Sequence, residues 1–271
     1  MCRLLAYLGS SIQPNRLIYQ PEHSLEIQSY KPKETITTSV NADGVGLGWY
    51  DAQPDSEPFI YKNILPIWGD INLPHLSRYI NSGCCLAYVR SATPGQASNL
   101  SNCQPFSCDR VLFIHNGFIE NFRDTLYHPI RKHLREDVYR KIEGTTDSEH
   151  IFALLANELA VRGTSLPVAL TESLRTLTKL ATLDTISFSA NIVVSDGQQL
   201  VASRFARGTS APSLYWLLKD TTFPNSIIIA SEPLFPGKWN PFPDDSILWV
   251  GNDLAPTMHQ IDSNLRTEKA S

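Results

Sequence analysis

The sequence predicts an α+β layered domain with mainly antiparallel sheets. Three observations carry that expectation. Short apolar runs of strand length fill the first part of the chain. Two long segments with helical periodicity follow one another in the middle. Strand-like runs then return, punctuated by Asp196-Gly197 and Pro236-Gly237, which are turn signals. Strands, then helices, then strands fit an α+β domain.

The elements read as follows in chain order. Residues 2–8 form a buried strand that starts at the terminus. The glycine-rich run 44–50 (GVGLGWY) is a strand, and 59–62 is its expected partner. Residues 76–81 are a short helix closed by Gly83. The run 84–89 (CCLAYV) is apolar without interruption, as in a strand covered on both faces. Residues 111–114 are another strand. The helical segment 148–161 places Ile151, Phe152, Leu154, Leu155 and Leu159 on one broad face. The segment 168–180 does the same with Leu170, Leu174, Leu177 and Leu180. Strands at 187–195, 199–203, 213–217, 226–230 and 247–250 complete the pattern.

Composition narrows the functional classes. The chain has 271 residues, 42% of them hydrophobic and 18% charged, which is a globular balance. Lys and Arg total 23 against 27 Asp and Glu, a formal charge of −4. That argues against nucleic-acid binding through a global positive field. No apolar run reaches the roughly 18 residues needed to span a bilayer. The start, Met-Cys-Arg-Leu-Leu-Ala-Tyr-Leu-Gly, lacks the pattern of a signal peptide. A cytoplasmic protein is expected, with no membrane and no nucleic-acid partner. The five cysteines, Cys2, Cys84, Cys85, Cys103 and Cys108, are an odd count, so reduced thiols are expected.

Several residues could carry chemistry. If Met1 is removed, Cys2 carries a thiol and a free α-amine on one residue. An α-amine has a pKa of roughly 7.7–8.0, so it can serve as the base that generates the thiolate. Cys2 also reads as a small apolar residue opening a strand. Arg90 ends the apolar strand and is either a solvated edge residue or a fork for a carboxylate. His115-Asn116-Gly117 reads as a type I′ hairpin turn or as an oxyanion hole. In the second reading the Asn116 amide and the Gly117 N–H each contribute roughly 3–4 kcal/mol, and the bare Gly117 allows close approach. Thr146-Asp147-Ser148-Glu149 forms a capping box, with Thr146 as N-cap and Glu149 reaching back. Asp147 is then free to meet an ammonium. Cys103, Cys108 and His115 lack the companions of a closed zinc set, and no metal or cofactor is expected. Trp49, Tyr50, Trp68 and Trp239 read as packing aromatics or as walls for a cationic leaving group.

The order of these motifs is more specific than any one of them. Met-Cys-Arg, Arg90-x-x-Thr93, Asn102-x-x-Pro105, His-Asn-Gly with Glu120-Asn121 beyond, and Thr-Asp-Ser-Glu occur in sequence. This arrangement resembles class-II glutamine amidotransferases, which are N-terminal-nucleophile hydrolases. The run 42–50 and Ala230-Ser231-Glu232-Pro233-Leu234 resemble its stand-alone branch, which includes the γ-glutamyl amidase of ergothioneine biosynthesis. The resemblance implies a four-layer αββα sandwich forming one domain over 2–271. It implies Cys2 as nucleophile, Asn116 and Gly117 as oxyanion hole, Arg90 and Thr93 at the substrate α-carboxylate, and Asp147 at the α-ammonium. The implied reaction is hydrolysis of a small-molecule γ-glutamyl amide, with γ-glutamyl-hercynylcysteine sulfoxide as the expected substrate. Glutathione-type peptides, glutamine and a silent γ-glutamyl-binding subunit are the alternatives. The chain departs from relatives at Gln104, where many have His before the proline, and at Ser91 and Pro94.

Overall fold

The computed structural model describes residues 1–34, 40–51, 57–92, 97–183 and 185–261. Its strands, in chain order, are β1 (Arg3–Ile12), β2 (Val45–Trp49), β3 (Phe59–Asn63), β4 (Ser82–Val89), β5 (Phe106–Cys108), β6 (Val111–Ile119) and β7 (Phe188–Ser195). Then follow β8 (Gln199–Arg204), β9 (Ala206–Arg207), β10 (Tyr215–Leu218), β11 (Ser226–Ala230), β12 (Asn240–Pro241), β13 (Ser246–Gly251) and β14 (Thr257–Gln260). One sheet runs β12-β10-β11-β1-β4-β2-β3 and the other β14-β13-β8-β7-β6-β5, with β9 beside β7. The described pairings are antiparallel in both sheets.

Alternation along the central strands explains why both sheets are covered twice. On β1, Leu4, Ala6 and Leu8 point between the sheets, where they meet Leu86, Ile114 and Val193. Leu5 and Tyr7 point the other way, into a core shared with Leu17, Ile18, Leu25 and Leu73. Those residues belong to short helices over Asn15–Ile18, Leu25–Tyr30 and Leu73–Tyr79. On the second sheet, Leu112 and Ile114 face inward. Phe113, Phe188 and Ile192 face a helical layer. That layer is α1 (Asp147–Leu159) and α2 (Leu166–Leu183). Ile151, Leu154 and Leu155 of α1 and Leu170, Leu174 and Leu177 of α2 form the stripes that pack on it. The result is the expected αββα sandwich. Its uninterrupted apolar strands follow from having a core on each face.

The glycines of β2 have a physical reason. Val45 and Leu47 face the outer helices, and Gly46 and Gly48 face the second sheet. A Cβ on Gly46 would lie 1.9 Å from the Gln104 carbonyl oxygen, and one on Gly48 would lie 2.8 Å from Leu112 Cδ1. The segment 104–105 therefore passes directly over this strand.

Two local expectations are corrected. The early helix spans Leu73–Tyr79 with Pro74 in its first turn, and Gly83 lies inside β4 rather than closing the helix. His115-Asn116-Gly117 is no hairpin turn: β6 runs straight through it, pairing Asn116 with Asn191 and Gly117 with Ala190. Cross-strand pairing overrides the local turn preference of Asn-Gly. The strands β5, β9, β12 and β14 and the short helices over Asn15–Ile18, Leu25–Tyr30, Tyr127–His133 and Glu136–Tyr139 have no clear signal in the sequence, being short and without periodicity. No described helix is long and apolar enough to cross a membrane.

The close approach at Gly46 gives a direct test. Gly46→Ala drives a methyl into a backbone carbonyl that cannot rotate away, an overpacking cost of about 3 kcal/mol. Denaturant unfolding should show that loss; stability equal to wild type would mean that the two layers are farther apart.

Candidate active site

Register brings the terminus to the end of the fourth strand. Arg3 opens β1 opposite Val89, the last residue of β4. Cys2 and Arg90, the next residues outward, therefore lie at the same end of the first sheet. The Ser91 N–H donates to Cys2 Sγ at 3.3 Å, and the thiol lies 3.5 Å from the Ser91 carbonyl oxygen. Cys2 is buried, at 9% exposure. The Tyr88 phenol, on the inner face of β4, packs against this thiol; burial and the Cys2 sulfur keep it protonated far above its ordinary range.

The first strand is held by residues from the far end of the sequence. Leu4 N–H donates to Ser231 Oγ at 3.0 Å, and Ser231 N–H donates to the Leu4 carbonyl at 3.0 Å. The neighbouring Glu232 forms an ion pair with Arg3, Oε1 to Nη2 at 3.1 Å, and contacts His23 Nε2 at 2.6 Å. It also accepts the backbone N–H groups of Lys33 and Glu34. Burial alone would raise the Glu232 pKa. The His23 bond, the two N–H groups and the Arg3 charge outweigh it and hold the carboxyl below its usual value. The Ser231-Glu232 segment thus fixes the strand that carries Cys2.

Arg90 is also prepared by backbone. Its N–H donates to Gly44 O and its carbonyl accepts from Asp43 N–H, which extends the β2–β4 ladder past its last paired residues. Asp43 Oδ2 then accepts from Ala92 N–H at 2.8 Å, tethering the chain after Arg90. The guanidinium is buried at 3% exposure, with Nη1 3.4 Å from the Asp43 carbonyl. Thr93, expected beside it, lies outside the described residues.

The second sheet supplies the other wall, since β6 packs beneath β1 and β4. Asn116 follows Leu112 and Ile114 on the inward face and is 1% exposed. Among the described residues, both its amide nitrogen and its amide oxygen lack hydrogen-bond partners. So do Oδ1 of Asn191, its cross-strand neighbour, and the Ser189 hydroxyl. A buried polar atom left unmade costs about 1–3 kcal/mol, so a cluster of them marks a place for something that binds. Asn191 Nδ2 is already committed to the Pro212 carbonyl at 2.9 Å, which fixes its oxygen as the open acceptor.

Gly117 is bare for a reason of packing: a Cβ there would meet the Ser189 carbonyl oxygen and His115 Nε2, so the glycine makes room for the neighbouring strand and the His115 ring. His115 faces the helices. Its Nε2–H donates to Ser189 O at 3.1 Å, which leaves Nδ1 to accept from Ser148 Oγ at 2.9 Å. Burial lowers its pKa and keeps it neutral. Gln104 replaces a strand neighbour, donating to His115 O at 3.0 Å and accepting from His115 N–H.

Asp147 opens α1 at the same end. Thr146 Oγ1 caps the helix by accepting from Glu149 N–H at 3.2 Å. Only half of the capping box forms, because Glu149 turns away to accept from Gly144 N–H at 2.7 Å and Glu143 N–H at 2.9 Å. Asp147 accepts from Ile119 N–H at 2.9 Å and Ser148 N–H at 2.8 Å, so its carboxylate is pinned to the end of β6. Its charge reaches both Tyr88 and His115. A thiol, a guanidinium, an open amide and a fixed carboxylate therefore share one end of the space between the sheets.

Other candidates are accounted for elsewhere. Trp49 and Tyr50 lie at the opposite end of β2: Trp49 stacks on Phe59 with centroids 4.7 Å apart, and Tyr50 donates to Ser195 O. Trp68 packs edge-on against Tyr30, and Trp239 donates to Phe235 O in the outer core. The five cysteines are free thiols. Tyr88, Asn191 and Ser189 were invisible in the sequence because strand residues declare their neighbours only once the register is known.

The chain is similar to known proteins over most of its length. Residues 1–238 match the family model of class-II glutamine amidotransferases. The chain is 31% identical to the probable glutamine amidotransferase DUG3 of Saccharomyces cerevisiae, covering 92% of this chain and 82% of that protein. It is 30% identical to the gamma-glutamyl-hercynylcysteine sulfoxide hydrolase of Mycolicibacterium smegmatis, covering 92% of this chain and 96% of that protein. Among solved structures, a glutamine aminotransferase class-II domain protein from Silicibacter pomeroyi superposes with a TM-score of 0.70 at 25% identity, over 96% of this chain and 99% of that one. The PRPP amidotransferase of B. subtilis shares the fold, with a TM-score of 0.66 at 14% identity over 97% of this chain and 50% of that one.

The Glu232 cluster makes a prediction with a definite sign. A carboxyl whose folded pKa is depressed stabilises the protein above its unfolded value of about 4.3, and that stabilisation is lost as pH falls through the folded value. Glu232→Gln leaves Arg3 buried without its partner and should cost about 3–5 kcal/mol at pH 7. The variant should also lose less stability than wild type on acidification to pH 4. Urea unfolding at both pH values reads this out; parallel pH profiles would remove Glu232 from the account.

Proposed function

The chain belongs to the class-II glutamine amidotransferases, and on that premise we propose that it hydrolyses a γ-glutamyl amide by way of a Cys2 thioester. Removal of Met1 exposes the Cys2 amine. Burial lowers the pKa of the Met1 amine at this end, against the Cys2 charge, which raises it, and with the Arg3 charge, which lowers it. An ordinary α-amine, with a pKa of about 7.7–8.0, is already a base near neutral pH. The amine takes the thiol proton, and Sγ bonds to the γ-carbonyl carbon. The Asn116 Nδ2 donor and the Gly117 N–H stabilise the resulting oxyanion. The protonated amine then passes its proton to the leaving nitrogen as the carbon–nitrogen bond breaks. Water attacks the thioester, loses its proton to the amine, and releases glutamate with the free thiol.

In this reading Arg90 pairs with the glutamyl α-carboxylate and Asp147 with its α-ammonium. Each oxygen of Asp147 accepts one backbone N–H, which leaves a lone pair for the ammonium. The observation that carries the proposal is the Asn116 amide, buried at 1% exposure with neither atom partnered among the described residues. A merely structural asparagine at this depth would be satisfied. The mycolicibacterial relative, similar over nearly its whole length, makes γ-glutamyl-hercynylcysteine sulfoxide the first substrate to try. The yeast relative supports glutamine as the second.

A glutamate-release assay over γ-glutamyl-hercynylcysteine sulfoxide, glutathione and glutamine tests the reading. Wild type should prefer the first. Asn116→Ala should lower kcat about 100- to 1000-fold, with a smaller change in KM, because the donor acts on charge that develops during reaction. Its stability should match or exceed wild type, since it removes unsatisfied polar atoms. Unchanged kcat in Asn116→Ala would reject this oxyanion hole.

A further inference from the structure

A second polar site lies on the outside of the α1 layer, away from the space between the sheets. The short helix Tyr127–His133 ends in Arg131, Lys132 and His133. These residues, with His128 and Tyr139, border an open cavity of about 770 Å³. That volume falls within the usual range for small-ligand sites.

Arg131 is the built element of this site. Its Nε–H donates to Nε2 of His150 at 2.9 Å. His150 can accept there because its Nδ1–H is committed to the Thr146 carbonyl at 2.7 Å. Burial and the Arg131 charge push the His150 pKa down to about 4, against the bond to Thr146, so the ring stays neutral. The guanidinium lies 4.3 Å from the Tyr127 ring centroid and 5.4 Å from that of Tyr139. It is thus fixed at Nε and held between two rings. Among the described residues, no hydrogen bond uses its two η nitrogens.

The surroundings decide what such a fork can take. Among the described residues, no carboxylate borders the cavity. The nearest acidic residues in sequence are already paired, Glu136 with Arg140 and Asp137 with Arg135. Lys132 adds a second permanent charge, and His128 and His133 each offer a ring N–H. A carboxylate would answer the fork alone. A phosphate offers three peripheral oxygens and about two negative charges, which matches the fork, the ammonium and the imidazoles together. The ring of Tyr139 and the apolar Pro129 and Leu180 provide a wall for an organic group attached to it.

We propose that Arg131, Lys132 and the flanking histidines form a binding site for a phosphate group, free or as an ester, separate from the Cys2 site. The inference does not depend on the hydrolytic reading. It is tested by isothermal titration of the full-length protein with inorganic phosphate and with phenyl phosphate at constant ionic strength. Saturable one-to-one binding is expected, weakened about tenfold or more in Arg131→Gln and in the exposed-site variant Lys132→Ala, each with its melting temperature measured alongside. Tighter binding of phenyl phosphate would identify an ester as the occupant, and equal binding free phosphate. The proposal fails if neither compound binds saturably, if Lys132→Ala binds as wild type does, or if a γ-glutamyl substrate displaces the phosphate.

Discussion

The site depends on one constraint: the first strand must be held at its very start. Strand ends fray, and Cys2, just before β1, would otherwise wander. Here β1 lies between β11 and β4 in the interior of its sheet. Its first residues are gripped by a pair of Ser231–Leu4 hydrogen bonds and by the Arg3–Glu232 ion pair. A buried ion pair is poor value as a source of stability when compared with apolar packing. Glu232 is nevertheless fully furnished with donors, including His23 and two backbone N–H groups. Its effect is to specify where Cys2 sits.

The polar groups near the site divide into those that are satisfied and those that are not. Glu232, Gln104 and His115 have partners at hydrogen-bond distance, and they position strands and loops. Asn116, Asn191 and Ser189 keep open atoms on one face of adjacent strands. Open atoms also occur among the supports, at Arg3 Nε and at Gln28 Oε1; Asn116 differs in that both the donor and the acceptor of its amide are open among the described residues. Donors that are to meet developing charge must be in place before it appears.

Much of this was legible in the sequence. Apolar runs marked the central strands, and leucine periodicity marked α1 and α2. Motif order pointed to Cys2, Arg90, Asn116 and Asp147, which the fold gathers at one end. The errors share a cause. Asn-Gly reads as a turn, yet β7 pairs straight across it. Glu149 reads as the second half of a capping box, yet Gly144 and Glu143 present closer donors. In each case a residue distant in sequence decides the outcome, and no local pattern contains it. The roles of Gln104 and of Ser231-Glu232 were hidden for the same reason.

The central claim is that one sulfur at the terminus carries the glutamyl group during turnover. Intact-mass analysis of protein acid-quenched in the steady state with a γ-glutamyl substrate measures this directly. The account predicts a chain without Met1 that carries a single added γ-glutamyl group on Cys2, absent in Cys2→Ala. Turnover by a chain that retains Met1, or an adduct on any other residue, would contradict it.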